Sequence, residues 1–143
     1  MDLSEIKKEE RITADWYRLS TDVLGTIIFL EYFKNKPLNE MQIKQIHEVI
    51  AEDHVIACVI RVNNGNLIPY EDEIWVEKLD LALLSDAGVL LVAYISPNNL
   101  FSRLEIEKEG RANSNKMIRI RISKDAEEAI AWLRLNHIII QKK

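Results

Sequence analysis

The hydrophobic pattern changes its period several times along this chain. Val55–Val62 and Val89–Ile95 are short runs dense in Val, Ile, Leu and Ala, without alternation. A strand covered on both faces reads that way. Met117–Ile122 does alternate, with Ile118, Ile120 and Ile122 on one face and Arg119 and Arg121 on the other. That predicts a strand near a sheet edge or with one wet face. Between these runs the period becomes helical. Ile43, Ile46, Val49 and Ile50 follow Asn39, which with Gln42 forms a variant of the capping box. Glu71–Ser85 offers Ile74, Trp75, Leu79, Ala82 and Leu83 as a second buried face. Ser96-Pro97 predicts a helix start, since serine suits the N-cap and proline the first helical position. Leu100, Phe101 and Leu104 would be its stripe and Gly110 its end. Ser123 is expected to cap a last helix, Asp125–Leu135, whose first turn is acidic and whose Ala126, Ala129, Ile130 and Leu133 face inward.

The amino-terminal part reads differently. Trp16–Leu19 and Thr26–Phe33 are rich in β-formers, and Ser20, Thr21, Asp22 and Gly25 between them suit a turn, so a hairpin is expected. Residues 1–13 are dense in alternating charge and read as a solvated or helical arm. The tail His137–Gln141 is too apolar to leave exposed. It is expected to pack on the domain or on a second subunit, with Ile138, Ile139 and Ile140 as candidates for a dimer contact.

Strand-like and helix-like runs in alternation predict an α/β fold. The expected form is a mixed sheet of about five strands, an N-terminal hairpin plus three further strands, packed with about four helices. The 143 residues suit one domain, 14–143, preceded by the arm 1–13. With 23 acidic against 19 basic residues the net charge is −4, which argues against a nucleic-acid partner. Cys58 is the one cysteine and falls inside an apolar run, so a core thiol is expected and no intrachain disulfide can form. The first residues lack the apolar segment of a secretory signal, and no run approaches the ~20 apolar residues of a membrane span. The expectation is a cytoplasmic protein with no membrane insertion.

Recognisable reaction chemistry is missing from the pattern. Gly25, Gly65, Gly88 and Gly110 are too far apart for a phosphate-cradling loop. His47 and His54 are two helical turns apart, but His54 is expected beyond the helix end. The acidic pairs lie in the arm or in first turns, where the helix dipole accounts for them. No catalytic residue, metal ligand or cofactor is assigned. Arg119 and Arg121 share a strand face, with Arg61 expected on a neighbouring strand; they read as a wet face paired with carboxylates, the alternative being an anion site. The expected binding site lies at the carboxyl ends of parallel strands, where α/β folds bind ligands. Asn63, Asn64 and Asn66 follow one strand and Asn98, Asn99 and Arg103 another; the two groups meet if those strands are neighbours.

Tyr32–Pro37, Val55–Val62, Gly88–Ile95 and above all Ser123-Lys124-Asp125-Ala126-Glu127-Glu128-Ala129-Ile130-Ala131-Trp132-Leu133 resemble the SpoIIAA-like, STAS-type domain. Within that class the chain is most similar to small stand-alone bacterial members of uncharacterised role, over roughly residues 14–135. The resemblance implies a non-enzymatic module that acts through protein contacts; with the fold rhythm, the missing catalytic residues and the apolar tail, the expectation is a homodimer with a regulatory protein partner. The family's anti-sigma-factor antagonists carry a phosphorylated Ser or Thr after the central strand. Here that stretch is Arg61-Val62-Asn63-Asn64-Gly65-Asn66, without a hydroxyl, and Tyr70 and Ser85 are badly placed for the role, so the phospho-switch is not carried over. The alternative is a carrier of a small apolar or anionic ligand, with Trp75, Phe101, Leu104 and Trp132 as candidate lining.

Overall fold

The computed structural model describes residues 3–15, 17–33, 40–62, 87–95 and 118–143. Among the described residues six strands form one sheet: β1 (Lys8–Thr13), β2 (Tyr17–Asp22), β3 (Ile27–Tyr32), β4 (Ala57–Val62), β5 (Leu91–Ile95) and β6 (Arg119–Ser123). They lie side by side in sequence order. β1, β2 and β3 are antiparallel neighbours, and β3 to β6 are parallel. The helices among the described residues are α1 (Glu40–Asp53) and α2 (Ala126–Leu135), besides a 3₁₀ turn at Leu3–Glu5. The α/β class and the mixed sheet thus hold, with six strands among the described residues. The helices expected over 71–85 and 97–110 lie outside the described residues.

The sheet is buried on both sides. On its front face, α1 places Ile46, Val49 and Ile50 with Leu19, Ile28, Leu30, Cys58, Ile60, Val92 and Tyr94. On its back face, Ala126, Ala129, Ile130 and Leu133 of α2 join Ile27, Phe29, Ala57, Val59, Leu91 and Ala93. β4 and β5 therefore contribute apolar residues to both clusters, which is why Val55–Val62 and Val89–Ile95 do not alternate. β6 is an edge strand, and its Arg119 and Arg121 are exposed.

The arm is the largest departure from the sequence reading. Leu3 and Ile6 are buried in the back cluster, and Lys8–Thr13 adds an edge strand to β2. A register shift between Glu10 and Ile12 marks a bulge that releases Arg11 from the ladder, where it ion-pairs with Asp53 at the end of α1. Charged residues and a bulge are what protect an edge from pairing with another chain.

The supposed turn residues Ser20, Thr21 and Asp22 are buried in β2. The turn itself is Val23-Leu24-Gly25, and Asp22 holds it. Its carboxylate accepts from the Thr26 N–H at 2.8 Å, the Ile27 N–H at 2.9 Å and the Thr26 hydroxyl at 3.1 Å. Gly25 sits at φ +70, with Asp53 close to where a Cβ would stand.

Ser123 does not cap α2; it is the last residue of β6. Asp125 is the cap, its side chain accepting from the Glu128 N–H at 2.9 Å. The other end of α2 closes in a Schellman motif. The Ile138 N–H donates to the Leu133 carbonyl and the His137 N–H to that of Arg134, with His137 at φ 66. α1 ends the same way: His54 has φ 57 and the Val55 N–H reaches the Ile50 carbonyl. Two of the three histidines thus occupy the left-handed position where glycine is usual.

That second turn sends the tail back across the domain. Ile138 and Ile140 are buried in the back cluster and Ile139 is exposed. An antiparallel bridge joins Ile6 to Lys142. The Lys7 N–H donates to the Gln141 carbonyl and the Lys143 N–H to the Glu5 carbonyl, each at 2.9 Å. Two of the three isoleucines expected at a dimer contact are therefore spent inside the chain's own core.

Candidate functional site

Register brings polar side chains from separate strands into one line. Thr13 lies opposite Arg18, Arg18 opposite Glu31, Glu31 opposite Arg61, Arg61 opposite Ile95 and Ile95 opposite Ser123. Cross-strand partners share a face. The line therefore crosses the whole sheet on its back face, at the carboxyl ends of β3 to β6. This is the edge at which open α/β sheets bind ligands.

Glu31 is the pivot of the row. Its side chain is 6% exposed, and two cations hold it: Arg18 at 3.0 Å and Lys8 at 3.8 Å. Arg18 also reaches Glu10 at 3.6 Å. Both cations lie over aromatic rings, Lys8 over Phe29 and Arg18 over Phe33, each 5.4 Å from the ring centroid. Aromatic faces attract cations, so the rings fix where the charges stand. At the far end of the row the Ser123 hydroxyl is buried and has no hydrogen-bond partner among the described residues. Beside it, Arg121 pairs with Glu128 in the first turn of α2 at 3.1 Å, the carboxylate pairing expected for that arginine.

Asn63, Asn64, Asn66, Asn98, Asn99 and Arg103, the residues singled out from the sequence, lie outside the described residues. The condition set for them is met in the sheet: β4 and β5 are parallel neighbours, and Arg61 and Ile95 pair near their carboxyl ends. Sequence reasoning missed Lys8, Arg18, Glu31 and the position of Ser123. One signal was available. Glu31 is the single charge inside the apolar run Thr26–Phe33, and a carboxylate there needs a partner.

The opposite, amino end of the sheet has a shallow depression of about 280 Å³, lined by Glu9, Arg11, Thr21, Asp22, Val23, Leu24, Gly25 and Asp53. Its charges serve the fold: Asp22 holds the hairpin turn, and Arg11 reaches Asp53 and, at 3.9 Å, Glu52. Among the described residues no group of three or more His, Cys, Asp or Glu is placed to hold a metal ion. Burial pushes the Cys58 thiol up to about 12, so it stays protonated in the core. No described helix is long and apolar enough to cross a membrane.

A mixed α/β domain with a polar row along its parallel carboxyl edge is the class that this geometry defines. No protein-family model matches the chain, and neither a curated protein nor a solved structure is similar enough to count as a relative.

Proposed function

We propose that this chain is a non-enzymatic SpoIIAA-like interaction or regulatory module that meets a protein partner through the carboxyl edge of its parallel strands. The observation that carries the reading is the in-register row Arg18–Glu31–Arg61 at that edge. Charges held in fixed positions by a rigid sheet give a partner orientation and specificity more than raw affinity. A reducing cytoplasm and a homodimeric state belong to the same proposal. The dimer would form through a surface other than Ile138 and Ile140.

The test is cross-linking capture with the whole chain as bait, beside an Arg61→Glu bait. Loss of the captured proteins with the variant supports the edge as the contact. The same set captured by both baits sinks it.

A second reading, carriage of a small anionic ligand, is favoured by Arg18 and Arg61 in register and by the buried Ser123 hydroxyl in the same row. Native mass spectrometry followed by denaturing mass separates the two. Excess mass lost on denaturation favours the carrier; a bare chain or bare dimer favours the module.

A further inference from the structure

The two ends of the chain meet on the back face of the sheet. Leu3 and Ile6 from one end, and Ile138 and Ile140 from the other, are buried in the cluster that contains Ile27 and Phe29 of β3 and Ala57 and Val59 of β4. α2 packs against β5 and β6. Among the described residues, the paired termini therefore complete the back cluster over β3 and β4, beside α2.

This clasp is held differently from the sheet it covers. Its two ends are joined by one isolated bridge, made by the hydrogen bonds of the Lys7 and Lys143 amides, not by a continuous ladder. Glu5, Lys7, Ile139, Gln141, Lys142 and Lys143 are exposed. Four buried side chains must offset the ordering of both segments, and segments with few buried anchors and exposed backbone bonds open below the global unfolding free energy.

Lys8 connects the clasp to the polar row. It follows Lys7, which bonds to the tail, and its own ammonium lies over Phe29 and against Glu31. We propose that the paired termini form a strap that opens as a unit, uncovering Ile27, Phe29 and Val59 and withdrawing Lys8 from Glu31. Opening would change the charge at the carboxyl edge, so the strap is a built-in control on that edge. This proposal concerns the strap's own motion and stands whichever partner or ligand the edge takes.

Native-state hydrogen exchange on the full chain tests it. The Lys7 and Lys143 amides are expected to exchange together, at least tenfold faster than those of β4. Ile140→Ala should speed both by roughly tenfold more while leaving β4 unchanged. Lys8→Met, which keeps an apolar stem over Phe29 but removes the charge, should speed both several-fold. Equal protection of Lys7, Lys143 and β4 in the wild-type chain overturns the strap, and needs no variant to fold. Unchanged exchange in Lys8→Met overturns the link to Glu31.

Discussion

Arg18 stands directly across β2 and β3 from Glu31 and holds its buried carboxylate at 3.0 Å. The partner is 34% exposed, so water weakens the pair from one side only. Removing Arg18 leaves Glu31 to Lys8, at 3.8 Å. Arg18→Met is expected to cost about 1–3 kcal/mol, because the loss is the desolvation of a carboxylate with too few donors. Arg18→Met combined with Glu31→Leu should recover most of it. Urea midpoints of the singles and the double decide, and simple additivity would mean that the two residues do not act as a pair.

Asp22 satisfies three donors at the β2–β3 turn, two of them backbone N–H groups. Asp22→Ala leaves them without an acceptor, at about 2–3 kcal/mol. Thermal unfolding should register the loss. A change within about 0.5 kcal/mol, the usual surface range, would show that water or a rearranged turn replaces the carboxylate.

Ser123 and Asp125 should respond in opposite ways. Asp125→Ala removes the cap of α2 and should cost about 1 kcal/mol. Ser123→Ala removes a buried hydroxyl with no partner among the described residues, so it should be neutral or slightly stabilising. Comparable losses in chemical denaturation would restore Ser123 to a capping role.

His54 and His137 both pay for a left-handed backbone. Glycine at either position relieves the crowding of Cβ, and each of His54→Gly and His137→Gly should stabilise by about 0.5–1 kcal/mol. Differential scanning calorimetry of the two variants measures this. A lowered midpoint in both would mean that the imidazoles make contacts worth more than the strain.

Cys58 makes stability fall with alkali. The folded thiol keeps its proton to about 12, while the unfolded one releases it from its ordinary value of 9.0. Between those limits the unfolded state binds fewer protons, so unfolding stability drops by about 1.4 kcal/mol per pH unit. Tyr17, raised by desolvation, acts with the same sign above its ordinary value of 10.0. Cys58→Ala should flatten the decline above pH 9.0. Denaturation midpoints across that range check it, and an unchanged slope would assign the alkaline loss to other groups.

The fold was legible where burial is local and periodic. Ile46, Val49 and Ile50, like Ala126, Ala129, Ile130 and Leu133, recur at the helical period and face inward as the sequence implies. β1 was illegible because nothing in Lys8-Glu9-Glu10-Arg11 alternates in polarity; only its pairing with β2 makes it a strand. Ser20, Thr21 and Asp22 looked like a turn because they are polar, and the burial of Asp22 depends on donors that arrive with the next strand. The polar row was harder still. Arg18, Glu31, Arg61 and Ser123 are scattered along the chain, and register alone aligns them.

The order of the strands has a kinetic meaning. Each strand lies beside the one made just before it, so the sheet can grow from the first hairpin without waiting for a distant segment. Such near-neighbour closure is the cheap kind, and it suits a chain that folds as it leaves the ribosome. The Ile6–Lys142 bridge is the exception, for it spans nearly the whole chain. Of the two segments that it joins, the one made later locks the earlier one in place.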